Sequence, residues 1–197
     1  MCGRYVVYDR LTNGDMLLLG QQIPANYNVA PTAAVPIIRL NAAGTELTLV
    51  MARWGLIPRW AKDLKIPPYF NARADTLAGN KVFGPFIHQP CLVPMAAFYE
   101  WSEQDKQPYL IRVIDEPIAY AAGIWRHWQS SDGQAIDSCA IITTQPNATL
   151  ADIHHRMPVL LNESDQATWL TEPFDDAKAV LQPYTQPMEK YPVIPRS

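Results

Sequence analysis

The chain has 197 residues, 48 % apolar and 18 % charged, with a net charge of −3. That is ample apolar material for one folded core, too little charge for a disordered chain or coiled coil, and no apolar run approaches the ~18 residues that would span a membrane. The three cysteines, Cys2, Cys91 and Cys139, are odd in number and widely spaced, which argues against a disulfide framework. The stretch after Arg4 is too short for the apolar core of a signal peptide, so a cytoplasmic location is expected.

Taken in order, Arg4–Tyr8 reads as a short strand that would tie the amino-terminal end to a sheet, and Leu11–Leu19 as a brief helix weakened by Asn13-Gly14. A proline-bounded turn follows at Tyr27–Pro31. Val35–Leu40 and Thr45–Trp54 form a hairpin around the Asn41–Gly44 turn, the second strand alternating Leu47, Leu49 and Met51 against Thr48 and Val50. The hairpin runs into Trp54-Gly-Leu-Ile-Pro58 and a loop containing Pro67-Pro68. Asn71 is placed to cap a helix extending to about Gly79. Cys91–Val93, Met95–Trp101, Tyr109–Val113, Ile118–Trp125, Ala135–Thr143 and Val159–Leu161 read as strands, Glu163–Leu170 and Asp175–Leu181 as short helices, and Pro187–Ile194 as extended. The order implies a single α+β domain over residues 1–197, a mostly antiparallel sheet curling into a barrel-like core with small helices at its margin.

Charge is unevenly spread. Residues 53–81 carry six basic and two acidic groups, whereas 82–197 carry seven and fourteen. Within the basic stretch Trp54 and Trp60 lie among Arg59, Lys62 and Arg73, a mixture that suits single-stranded nucleic acid, since bases stack on rings while phosphates meet cations. A solvated basic face with core tryptophans accounts for the same pattern.

Cys2 follows an initiator methionine that its small size makes removable. A leading cysteine would present an α-amine and a thiol on adjacent carbons, a pair that condenses with an aldehyde to an imine and closes to a five-membered thiazolidine. An amine of pKa ~7.7–8.0 leaves roughly a tenth to a sixth of the groups neutral at pH 7, and a thiol near ~8.5 supplies a few per cent thiolate, more beside a cation such as Arg4. From position alone, Cys2 also reads as an ordinary small apolar residue opening a strand. Glu100, in Met-Ala-Ala-Phe-Tyr-Glu-Trp, shares the Phe98 face by the period of two; enclosed, it would be an acid–base group with a raised pKa, and at the strand end it would reach solvent. His154 stands in Asp152-Ile-His-His-Arg-Met-Pro158, either a loop proton donor or part of a polar loop. No second spaced ligand pair supports a metal site, and no cofactor is called for.

Met-Cys-Gly-Arg4, Tyr27-Asn-Val-Ala-Pro31, Trp54-Gly-Leu-Ile-Pro58, Asn71-Ala-Arg73, Phe98-Tyr-Glu-Trp101 and Ile153-His-His-Arg-Met-Pro158 occur in that order. Together they resemble the SOS response-associated peptidase family, the abasic-site processing proteins, over about residues 2–195. The resemblance implies a curved β-rich fold with a basic channel for single-stranded DNA, a monomer, and capture of the abasic-site aldehyde by Cys2 after loss of Met1, with lyase-type and peptidase-type chemistry attached to the family. By match of motif, Asn71 would orient the Cys2 amine or the sugar, Glu100 would shuttle protons, His154 would protonate the sugar ring oxygen, Arg4, Arg73 and Thr143 would hold phosphates, and Trp60 would wedge against flanking bases. Ala61 departs from relatives that carry a bulky residue there, and the ending Pro195-Arg196-Ser197 departs from those that continue into a Val-Asn segment. The other readings are an amino-terminal-nucleophile hydrolase acting on amides and a strand-binding module without chemistry.

Overall fold

The computed structural model describes residues 2–8 and 25–194; the helix expected at Leu11–Leu19 lies outside them. Its strands, in chain order, are β1 (Arg4–Val7), β2 (Asn26–Val29), β3 (Ala34–Leu40), β4 (Leu47–Trp54), β5 (Asn71–Arg73), β6 (Pro90–Met95), β7 (Ala97–Trp101), β8 (Pro108–Val113), β9 (Ala119–Gln129), β10 (Ala135–Thr144), β11 (Met157–Pro158), β12 (Leu160–Leu161) and β13 (Met188–Pro192). Two short helices, α1 (Glu163–Thr171) and α2 (Phe174–Ala177), pack at the edge. Asn162 caps α1 by accepting from Asp165 N.

One sheet runs β11-β10-β4-β3-β6-β9-β12, and β10 also pairs with β9. That extra pairing closes β10, β4, β3, β6 and β9 into a five-stranded barrel. The expected hairpin is the β3–β4 pair, in register from Ala34↔Arg53 to Leu40↔Leu47. Its alternation differs from expectation: Leu47 and Met51 are exposed while Ala52 and Trp54 are buried, because the barrel interior receives the even-numbered side chains at that end of β4. A five-stranded sheet in the order β13-β8-β7-β1-β2 lies against the barrel, and a continuous apolar core joins Tyr5, Val29, Phe98 and Ile111 to Trp54, Ile124 and Ile141. Cys91 and Cys139 are buried free thiols in that core. None of the described helices is long and apolar enough to cross a membrane.

Two pairings bring distant segments together. β1 lies antiparallel to β7, with Arg4 opposite Tyr99 and Tyr5 opposite Phe98, so continuing the register sets the residues before β1 beside Glu100. β5 lies parallel to β10, with Asn71 opposite Ile141 and Arg73 opposite Thr143, and β11 pairs the other side of β10 at Thr143↔Pro158. Asn71 therefore does not start a long helix. It begins a three-residue strand followed by one 3-10 turn, Ala74–Thr76, because its side chain bonds across the fold rather than to the backbone ahead of it.

Gly55, in the Trp-Gly-Leu-Ile-Pro block, has φ +139°, and a Cβ there would meet Pro68 Cβ at 3.2 Å. Only glycine takes that turn and that approach without strain. The loop it opens is pinned by Leu56 N donating to Tyr69 O at 3.0 Å and by Trp128 Nε1 donating to Ala61 O at 3.0 Å. Ala61 is tucked against Ile57 and Trp128, which leaves its neighbour Trp60 facing outward, 58 % exposed.

Candidate active site

Cys2 is fully buried. Its carbonyl accepts a 2.8 Å hydrogen bond from Asn71 Nδ2, and its Sγ lies 3.8 Å from Arg4 O. The Asn71 Oδ1 is also buried and has no hydrogen-bond partner among the described residues. It is an acceptor held ready beside the residue whose nitrogen would react. Burial pushes the Cys2 thiol far above its ordinary pKa, and the nearby Glu100 charge pushes it further. The Arg4 backbone contact opposes this slightly, but its guanidinium does not: it donates to Asn28 Oδ1 at 3.0 Å. Activation of the thiol by that cation, expected from the sequence, is therefore absent in this arrangement.

Glu100 is 2 % exposed, on the same inward face of β7 as Phe98, while Trp101 points to solvent. Burial raises its carboxyl above the ordinary carboxylate value, as it does for any acid taken out of water. One oxygen is 3.4 Å from Trp101 N.

His154 is reached through the turn that ends β7. Glu103 N donates to Ile153 O at 3.0 Å, and the Glu103 carboxylate lies 3.4 Å from His154 Nε2 while also bonding His155 Nδ1. The two imidazoles stack at 4.4 Å. His154 Nδ1 accepts from Arg156 N at 2.9 Å, so the neutral ring carries its proton on Nε2. Burial, with the neighbouring His155, moves the His154 pKa down, and Glu103 partly opposes that. Glu103, His154 and His155 place three ligand-type atoms within 4.8 Å of one another. A cation on Nε2 would need the proton moved to Nδ1, against a backbone N–H, so the trio suits proton handling better than metal binding.

The phosphate-binding candidates separate. Arg73 is exposed and holds Asp75 through two bonds, Nε to Oδ1 at 3.2 Å and Nη2 to Oδ2 at 2.7 Å. Thr143 is fully buried. Its hydroxyl donates to Ala72 O at 3.3 Å, and its carbonyl accepts from Arg156 Nη2 at 2.5 Å. As placed, it supports an arginine instead of facing solvent. Arg156 is 4 % exposed, pairs with Asp75 Oδ1 at 3.4 Å, and has a buried Nε with no hydrogen-bond partner among the described residues. Trp60, Arg59, Lys62 and Lys65 are all exposed on the Gly55–Pro68 loop. A cleft of about 1200 Å³ opens on the far side of Asp75 and Arg156, bounded by Leu77, Thr144, Phe174 and Lys178. Arg156, Asp75 and Glu103 were not singled out from sequence. The only local signal was an arginine wedged between His-His and the apolar Met-Pro of β11.

The family model for SOS response associated peptidase (SRAP) matches residues 1–196. The chain belongs to this family. Among its relatives, abasic site processing protein YoqW of Bacillus subtilis is 37 % identical, the match covering 98 % of this chain and 92 % of that protein. Abasic site processing protein YedK of Escherichia coli is 28 % identical over 91 % of this chain and 83 % of its own. A crystal structure of a Bacteroides thetaiotaomicron protein superposes with a TM-score of 0.81 at 27 % identity, covering 98 % of this chain and 92 % of that one. The barrel with its marginal helices is thus shared with that protein, and the Cys2–Asn71–Glu100 grouping lies within the residues that the family model matches.

Proposed function

We propose that this protein captures abasic sites in single-stranded DNA as a covalent thiazolidine on Cys2, after Met1 is removed. The observation that carries the reading is the enclosure of Cys2 between Asn71, which grips its carbonyl, and Glu100, a buried carboxyl with a raised pKa. Family membership and the names of the relatives support abasic-site chemistry as its setting.

The steps follow from the groups present. The ring-closed sugar opens when a proton reaches its ring oxygen, a role for His154 Nε2–H. The freed Cys2 amine adds to the C1′ aldehyde to give a carbinolamine. Glu100, protonated more readily than an exposed carboxyl, hands a proton to the departing hydroxyl, and water leaves as the imine forms. The thiol then adds to the carbon of this protonated imine and its proton returns to the Glu100 carboxylate, closing the neutral thiazolidine. Overall, aldehyde and aminothiol give thiazolidine and one water. The thiol's raised pKa opposes thiolate before reaction. The iminium cation formed next to it favours thiolate afterwards, so the sulfur becomes nucleophilic when it is needed. Closure is intramolecular and benefits from a very high effective concentration. It removes the imine before β-elimination breaks the strand.

A peptidase reading is less well supported. A cysteine peptidase needs a thiolate activated by a base or cation, whereas the described hydrogen-bond partner of this thiol is a backbone carbonyl. The test is intact mass spectrometry after mixing the Met1-free protein with a uracil-excised oligonucleotide. The expected product has the mass of protein plus oligonucleotide less one water. Unmodified protein would sink the proposal; turnover of amide substrates without adduct would favour the peptidase. A binding module without chemistry would hold intact and abasic strands alike and be unaffected by Cys2→Ala.

A further inference from the structure

Asp75 occupies an unusual position. Its carboxylate is held from one side by the exposed Arg73 through two hydrogen bonds and from the other by the buried Arg156 at 3.4 Å. Both cations lie beside the proposed lesion site. Arg73 follows Asn71 on β5, and Arg156 follows His154, whose ring nitrogen its own backbone N–H holds. Arg156 is fixed there by Thr143 and keeps one N–H, Nε, buried without a partner among the described residues. A strand threading past Cys2 brings phosphates, which are anions of the same geometry as a carboxylate for a guanidinium fork. The charge between the two arginines is therefore already partly answered by the protein itself.

We infer that Asp75 is a built-in competitor for a DNA phosphate, a specificity-determining residue that holds down non-covalent affinity for undamaged single strands. This rests on the reading of the site given above. A phosphate arriving between Arg73 and Arg156 must displace the carboxylate or share the cations with it, and either costs affinity. Intact strands gain only the phosphate contacts and so feel the whole penalty. Abasic strands are retained by the bond to Cys2 and are less affected. Asp75 borders the cleft of about 1200 Å³ and is half exposed on its side chain, so it has room to swing aside.

The test is anisotropy titration of the Met1-free protein with a fluorescein-labelled intact oligothymidylate at several salt concentrations, alongside crosslinking to a uracil-excised strand. Asp75→Asn should bind the intact strand about five- to tenfold more tightly at low salt, with a steeper salt dependence by about 0.7 for each further phosphate neutralised. Asp75→Glu should stay near wild type, since it keeps the charge. The gain should vanish on a strand with uncharged methylphosphonate linkages, a result that a merely structural role for Asp75 would not produce. The inference is overturned if Asp75→Asn binds no tighter, or if it gains equally on the uncharged strand. Those outcomes leave the proposed function standing when wild type still crosslinks. Failure of wild type to crosslink removes the function first.

Discussion

Replacing Glu100 with glutamine keeps the shape of a side chain that is 2 % exposed and removes only its titrating proton. If Glu100 is the group that assists loss of water from the carbinolamine, the single-turnover crosslinking rate should fall about 100-fold, the low end of the ~10²–10⁴ that general acid–base assistance supplies. At ~1.36 kcal/mol per factor of ten, that is about 2.7 kcal/mol on the barrier. The enclosure also predicts the opposite effect on stability. Burial raises the Glu100 pKa in the folded protein. A raised folded pKa contributes stability below the unfolded carboxylate value and loses it as pH rises through the folded one. Once pH has risen through the folded value, the wild type bears a desolvated charge that glutamine does not. The melting temperature of Glu100→Gln should therefore gain on that of wild type as pH rises from below the ordinary carboxylate range. The assay is a denaturing-gel time course with uracil-excised oligonucleotide across pH, paired with thermal melts. An unchanged rate together with a melting difference that does not grow with pH would refute the reasoning, since it would make Glu100 a structural hydrogen-bonding group.

Asn71→Ala should slow crosslinking at least tenfold while lowering stability by about 1 kcal/mol, the usual worth of one hydrogen bond; denaturant melts and the same gel assay separate the two effects. Cys2→Ser should still form some imine, trapped by borohydride, yet leave a heat-labile adduct and more strand cleavage, and an undiminished heat-resistant crosslink would remove the thiol from the scheme. His154→Ala should slow capture of the natural, ring-closed lesion far more than capture of a small open-chain aldehyde, because only the former needs its ring oxygen protonated. Trp60→Ala should weaken intact single-strand binding by about 1 kcal/mol or more, the low end for loss of one stacked base, with folding unaffected because the ring is 58 % exposed.

The parts of the fold that depend on neighbouring residues were legible in the chain. The β3–β4 hairpin follows from its turn and apolar runs, and the period of two placed Phe98 and Glu100 on one face, which the structure shows to be buried. What could not be read is what depends on long-range pairing. β10 lies parallel to both β4 and β5, and a parallel pair has no tight turn to announce it. Asn71 resembled a helix cap because Ala-Arg-Ala-Asp follows it, but its partner is Cys2, 69 residues earlier. The same pairing buried Thr143 and brought Arg156 to Asp75. The basic bias of residues 53–81 was visible, yet the structure divides it by element: Arg59, Lys62 and Lys65 lie on the exposed loop with Trp60, while Arg73 lies on β5 and shares Asp75 with Arg156, an arginine outside that stretch.

The spacing at the front of β1 has a practical corollary. Arg4 is locked opposite Tyr99, so Cys2 hangs from the sheet on a tether of one glycine. An extended residue spans about 3.3 Å. Inserting a single residue between Cys2 and Arg4 would carry the amine roughly that far past its carboxyl neighbour and turn the side chain over. The β1–β7 register thus sets where Cys2 lies, and a lengthened tether would leave a well-folded molecule with Cys2 displaced from Asn71 and Glu100.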